Sequence, residues 1–95
     1  MDVQSLLDSR ESRYGAFQGH ALLSQRLKQV INQAIVASPH PFFPDQCEAL
    51  EMIAHKLARI LNGDPSYADN WIDIAGYATL VANRLEQATP PSTPS

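Results

Sequence analysis

Asp45-Gln46-Cys47-Glu48-Ala49-Leu50-Glu51-Met52-Ile53-Ala54-His55-Lys56-Leu57-Ala58-Arg59-Ile60-Leu61-Asn62-Gly63 is the stretch on which the fold turns. Its apolar residues Leu50, Ile53, Ala54, Leu57, Ile60 and Leu61 recur every three or four positions, the period of an α-helix. Both ends carry signals. Asp45 stands three before Glu48, as in a capping box with Asp in the Ser/Thr place. Asn62-Gly63, with Pro65 just beyond, supplies the stop.

Upstream, Phe17, Leu23, Leu27, Val30, Ile31, Ala34 and Ile35 keep the same period, which predicts a helix from about Ala16 to Ala37. It ends before Pro39, because a residue preceding proline is pushed out of the α region. Between the two helices, Pro39, Pro41 and Pro44 fix φ and remove backbone donors, giving an ordered or extended connector. Downstream, Ser66-Tyr67-Ala68-Asp69 is a further start signal. The helix that follows carries Trp71, Ile74, Ala75, Ala78, Val81, Ala82 and Leu85 as one apolar stripe. Residues 1–12 read as an N-terminal arm or short helix, 13–88 as a single helical domain, and 89–95 as a disordered Pro/Ser/Thr tail. No segment alternates with period two, and no hairpin signal or repeat is present. The expected fold is all-α: a small bundle of three main helices.

Composition narrows the function. The 95 residues allow one domain, and 44% hydrophobic with 18% charged residues is an ordinary globular balance. Seven Lys and Arg against ten Asp and Glu give a net charge of −3, which argues against nucleic acid as a partner. Cys47 stands alone, so neither an internal disulfide nor a multi-cysteine zinc site fits. The apolar runs are too short for a bilayer span and the N-terminus lacks a secretory pattern, so a cytoplasmic location without membrane contact is expected. A chain of this size buries only about 60 to 65% of its unfolded surface, and homo-oligomerisation is the expected completion.

Chemistry has two candidate places. Advancing about 100° per residue puts Glu48, Glu51, Met52, His55, Arg59 and Asn62 on the face opposite Leu50, Leu57 and Leu61. On the next helix Asp69, Asn70, Asp73, Gly76, Tyr77 and Arg84 fall opposite Trp71, Ile74, Ala78 and Leu85. If the two stripes face each other, Glu48, Glu51, Asp69 and Asp73 converge as oxygen ligands suited to Mg²⁺. A merely solvated face carries the same pattern. Lys56 and Arg59 beside the acids suit phosphate, and Tyr77 adds a flat ring. Mid-helix Gly76 suggests a close approach to the backbone. The second place is Arg10, Arg13, Tyr14, Gly15 and Phe17, where arginine clamps a phosphate while a ring stacks on a base, or where the rings simply fill the core. Gln25 and Lys28 on the following helix could reach the same pocket, although nothing in their spacing requires it. His20, His40 and His55 have no ligand spacing to one another or to Cys47.

Arg13-Tyr14-Gly15-x-Phe17, Gln25-x-x-Lys28, Glu48-Ala49-Leu50-x-Met52-Ile53-x-x-Lys56-x-x-Arg59-Ile60, Gly63-Asp64 and Asp69-Asn70-Trp71-x-Asp73-Ile74-Ala75-Gly76-Tyr77-Ala78 together resemble a group of small phage and prophage proteins. That group is similar to the all-α nucleoside-triphosphate pyrophosphohydrolases of the MazG-like superfamily. The resemblance covers about Arg13 to Leu85. It implies an oligomeric helical bundle that binds nucleotides, with Mg²⁺ held by a Glu-x-x-Glu pair on one helix and Glu-x-x-Asp on the next. Glu48 and Glu51 match the first pair, and Asp73 matches the last position. Asn70 stands where the second glutamate belongs, Asp69 is one residue out of step, and Gln46 and Cys47 occupy the place of further acids.

Three functions are therefore expected in turn. As a Mg²⁺-dependent hydrolase, the chain would use Glu51 and Asp73 catalytically, with Glu48 and Asp69 completing the metal site. Arg13, Tyr14, Lys28, Lys56, Arg59 and Tyr77 would bind the nucleotide. As a sequestering module, it would hold a nucleotide, including a cyclic or ADP-ribose-type host immune signal, without turnover. As an inhibitor, it would present its acidic stripes to a host protein.

Overall fold

The computed structural model describes residues 2–88, and the expected tail at 89–95 lies outside them. Four helices follow in order: α1 (Val3–Tyr14), α2 (Phe17–Ala37), α3 (Pro44–Asn62) and α4 (Ala68–Ala88). The fold is all-α, with no strand among the described residues.

The first dozen residues form a helix because their ends and their spacing support one. The Asp2 carboxylate accepts the Ser5 N–H at 2.7 Å, and Gln4 donates to Asp8 one turn later at 2.8 Å. Gly15, at φ +80°, stops α1 in a conformation that disfavours any side chain. The second helix ends at Ser38, immediately before Pro39, as expected. The third begins one residue earlier than its sequence signal. Pro44 takes the first helical position, where its missing N–H costs nothing, and the Gln46 side chain accepts the Phe43 N–H at 2.8 Å. Asp45 is thereby free for another partner. Before α4, the Asp64 carboxylate accepts the Ser66 N–H, and the Trp71 indole donates to the Pro65 carbonyl at 2.9 Å.

The third helix is the centre. It packs against α2 on one side and α4 on the other, α1 touches α2 and α3, and α2 and α4 make no contact among the described residues. The result is a single layer rather than a closed bundle. Its dimensions are 54 × 29 × 21 Å, and its radius of gyration is 16.6 Å against about 12 Å for a compact chain of this length.

The buried apolar residues are Ala49, Ala54, Ala58 and Ile60, small side chains that let helices approach closely. Here the expected facing is overturned. Leu57 and Leu61 are exposed, and so are Trp71, Ile72, Leu80 and Leu85 on α4. Instead α4 turns Asn70, 1% exposed, toward α3, with Asp73, Tyr77 and Arg84 half-buried beside Ile74 and Val81. The seam between α3 and α4 is held by charge. Lys56 meets Asp73 at 2.9 Å near one end, and Arg84 grips Asp45 through two bonds of 2.8 and 2.7 Å near the other. No described helix is long and apolar enough to cross a membrane.

Candidate functional site

At one end of the layer, the corner between α1 and α2 is clasped to the corner between α3 and α4. The Asn62 side-chain amide donates to the carbonyls of Tyr14 and Ala16, at 3.0 and 2.9 Å. The Asp64 N–H donates to the Arg13 carbonyl at 2.8 Å. Glycine is required on both sides of this contact. A Cβ at Gly15 would run into the Asn62 carbonyl, and one at Gly63 would run into the Arg13 and Tyr14 backbone. The rings and cations interleave in the same place. Arg59 lies 4.2 Å over the Tyr14 ring, Tyr14 meets the edge of Tyr67 at 6.0 Å, and Arg13 lies 5.2 Å over Tyr67.

Beside the clasp opens a cleft of about 380 Å³ between α1 and the α2–α3 pair. Gln4, Leu7, Asp8, Arg10 and Glu11 line it from α1. Tyr14, Phe17, His20, His55 and Arg59 complete the wall, with Phe17 exposed. His20 and His55 meet edge to face with centroids 4.6 Å apart. His20 is 6% exposed, and its Nδ1 is buried without a hydrogen-bond partner. Burial, aided by the Arg59 and Lys28 charges, holds its pKa below the ordinary imidazole value. For the same first reason His55 falls to about 4, with Arg59, His20, Lys28 and Lys56 adding to the effect. Both imidazoles are neutral at neutral pH, so the fixed positive charge of the cleft comes from Arg59 and Arg10.

The predicted residues separate into distinct places. Tyr14 and Arg59 share the cleft, and Arg13 belongs to the clasp behind it. Lys28 and Glu51 line an open groove of about 470 Å³ between α2 and α3, with Gln25, Gln29, Asn32 and Gln33. Asp73 is on the other side of α3, bound to Lys56, and Asp69 accepts the Tyr67 hydroxyl at 3.0 Å. Glu48 is exposed, and Tyr77 is half-buried on α4, away from the cleft lining. Gly76 meets nothing within 4 Å, so no close approach explains it among the described residues.

The expected carboxylate quartet therefore does not assemble. Glu51 faces the α2 side of α3 and Asp73 the α4 side, where the Lys56 ammonium already supplies its counter-charge. Among the described residues no three His, Cys, Asp or Glu side chains are placed to hold a metal ion. Among the described residues, Glu48, Glu51, Asp69 and Asp73 are not brought together as one oxygen-ligand set.

A family model described as a domain of unknown function, DUF6378, matches residues 2–85, from the cap of α1 into the last turns of α4. The chain belongs to the DUF6378 family. No curated protein and no solved structure matches it. The cleft of this DUF6378 domain draws on residues that local reading passed over. His20 and His55 show no spacing signal, since they meet only when α2 packs on α3. His20 falls within the apolar stripe of α2, at helical spacing from Leu23 and Leu27, whereas His55 lies on the polar face of α3, so no face pattern marks the pair. Leu7, Asp8 and Glu11 belong to a segment whose sequence reads equally as an arm or a short helix and so points to no wall of a cleft.

Proposed function

We propose that the chain binds a nucleotide in the cleft under α1 and holds it without turnover. The supporting observation is the Arg59–Tyr14 stack at the wall of a cleft that His20, with its buried and unpartnered Nδ1, also lines. A guanidinium lying over a ring keeps its in-plane N–H donors for a phosphate, which it grips bidentately. Arg10 lies on the same cleft wall, and the Tyr14 and Phe17 rings suit a base. The likeness to phage proteins and MazG-like enzymes supplies nucleotide as the ligand class. The scattered carboxylates favour retention over hydrolysis.

Calorimetric titration of the chain with nucleotides in EDTA tests this reading. Binding is expected without metal, with intact ligand recovered after denaturation and at least about tenfold weaker binding by Arg59→Ala. Absence of binding by every nucleotide overturns it. Ligand cleavage on adding Mg²⁺ restores the hydrolase reading instead.

A second copy of the chain is the proposed cover for the exposed apolar side chains of α3 and α4. Four buried apolar residues, three of them alanine, are a thin core. Leu61, Trp71, Ile72 and Leu80 each leave more than half of their surface in water. A protomer so built gains its missing burial by association, and an identical chain is always present at matching concentration.

A further inference from the structure

We infer that the nucleotide this cleft accepts carries a single phosphate and an intact ribose, and that Glu11 is the residue that reads the ribose. This inference rests on the nucleotide-binding reading and specifies its ligand.

The first argument is charge. The cleft wall carries Arg10 and Arg59 against Asp8 and Glu11, while its two histidines are neutral, so the fixed charges cancel. One phosphate monoester brings about −1.5 to −2 at neutral pH, which two arginines match. Each further phosphate adds charge that meets Asp8 and Glu11. No metal-holding cluster among the described residues is placed to offset it. The second argument is size, because about 380 Å³ lies at the small end of the range of roughly 300–1,000 Å³ that encloses a whole small ligand.

The third argument is the pattern of unused polar groups. Gln4, Leu7, Asp8 and Glu11 fall at helical spacing and together form the α1 wall. Asp8 is already engaged by Gln4 at 2.8 Å. The Glu11 carboxylate accepts no hydrogen bond and joins no ion pair among the described residues, although it lines the cleft. A carboxylate facing a nucleotide from one side is suited to sugar hydroxyls, which donate, and unsuited to phosphate oxygens, which only accept. Across the cleft, the neutral His20 lines the wall; it is itself more than nine-tenths buried, and its Nδ1 has no hydrogen-bond partner. An uncharged donor or acceptor there matches a base edge rather than an anion. The cleft therefore sorts its ligand: phosphate to Arg59 and Arg10, ribose to Glu11, base to Tyr14, Phe17 and His20.

Isothermal titration of the full chain in metal-free buffer, with ribonucleoside mono- and triphosphates and 2′-deoxy monophosphates as probes, tests the inference. The best ribonucleoside monophosphate is expected to bind about tenfold more tightly than its triphosphate and about tenfold more tightly than its 2′-deoxy form. Glu11→Gln is expected to narrow both differences while leaving the circular dichroism spectrum unchanged. Triphosphate binding as tight as monophosphate binding overturns this inference and leaves the nucleotide-binding reading standing. A 2′-deoxy difference that survives Glu11→Gln overturns the role of Glu11. Failure of every nucleotide to bind overturns both.

Discussion

Asn62 joins residues that are far apart in the chain, and its two donated hydrogen bonds close the corner on which the cleft depends. Truncation to alanine leaves the Tyr14 and Ala16 carbonyls without that donor. Asn62→Ala is expected to lower stability by about 1–3 kcal/mol, read by urea denaturation. In the sequence Asn62-Gly63 announces only a helix stop, because a side chain reaching back to α1 leaves no local pattern. The histidines behave alike. In the unfolded chain both imidazoles return to the ordinary value of about 6.5, whereas His55 in the fold lies at about 4 and His20 is also lowered. Between those values the unfolded state binds protons that the folded state refuses. Stability is therefore full above about pH 6.5 and falls as the pH drops toward about 4. Melting temperatures across that window, with His55→Gln giving a shallower decline, are the check.

At the level of elements, the helices were legible and their facing was not. Proline, glycine and the 3.6-residue period fixed α2, α3 and α4 to within a residue or so at most ends. The apolar stripes divide: Leu57 and Leu61 on α3 and Trp71 and Leu85 on α4 are exposed, while Ala54, Ile60, Ile74 and Val81 of the same stripes are buried or half-buried, and the seam between the two helices carries two ion pairs. Amphipathicity indicates that a face will be covered, and it does not say whether the cover comes from the same chain. Of the acids that the motif offers as metal ligands, Asp73 serves this seam by balancing Lys56, whose side chain is only 12% exposed. Asp73→Asn is expected to cost about 1–3 kcal/mol by leaving that ammonium underpaired, a larger loss than for Asp45→Asn at the more exposed pair with Arg84. Adding Mg²⁺ is expected to leave the melting temperature of the wild-type chain unchanged. A clear rise would mean that the carboxylates gather around metal after all.

For the molecule as a whole, a layer one helix thick cannot seal both of its faces. Light scattering is expected to give a mass above one chain, with a melting temperature that falls on dilution, since association then contributes to stability. Trp71→Asp on the exposed face of α4 is expected to shift the mass toward the monomer and lower the melting temperature together. Oligomerisation could be anticipated from chain length, but only the exposed Leu61, Trp71, Ile72 and Leu80 say where it acts.

The attachment of α4 has a consequence of its own. Among the described residues it touches no helix but α3, and its charged fasteners lie toward both ends of one seam. An identical α4 arriving from a neighbouring molecule would find the same Lys56 and Asp45 waiting in the same register. Copies of this chain that traded their last helix would re-form both seam ion pairs and would have to remake only the Trp71–Pro65 and Tyr67–Asp69 hydrogen bonds that tie α4 to its own preceding loop.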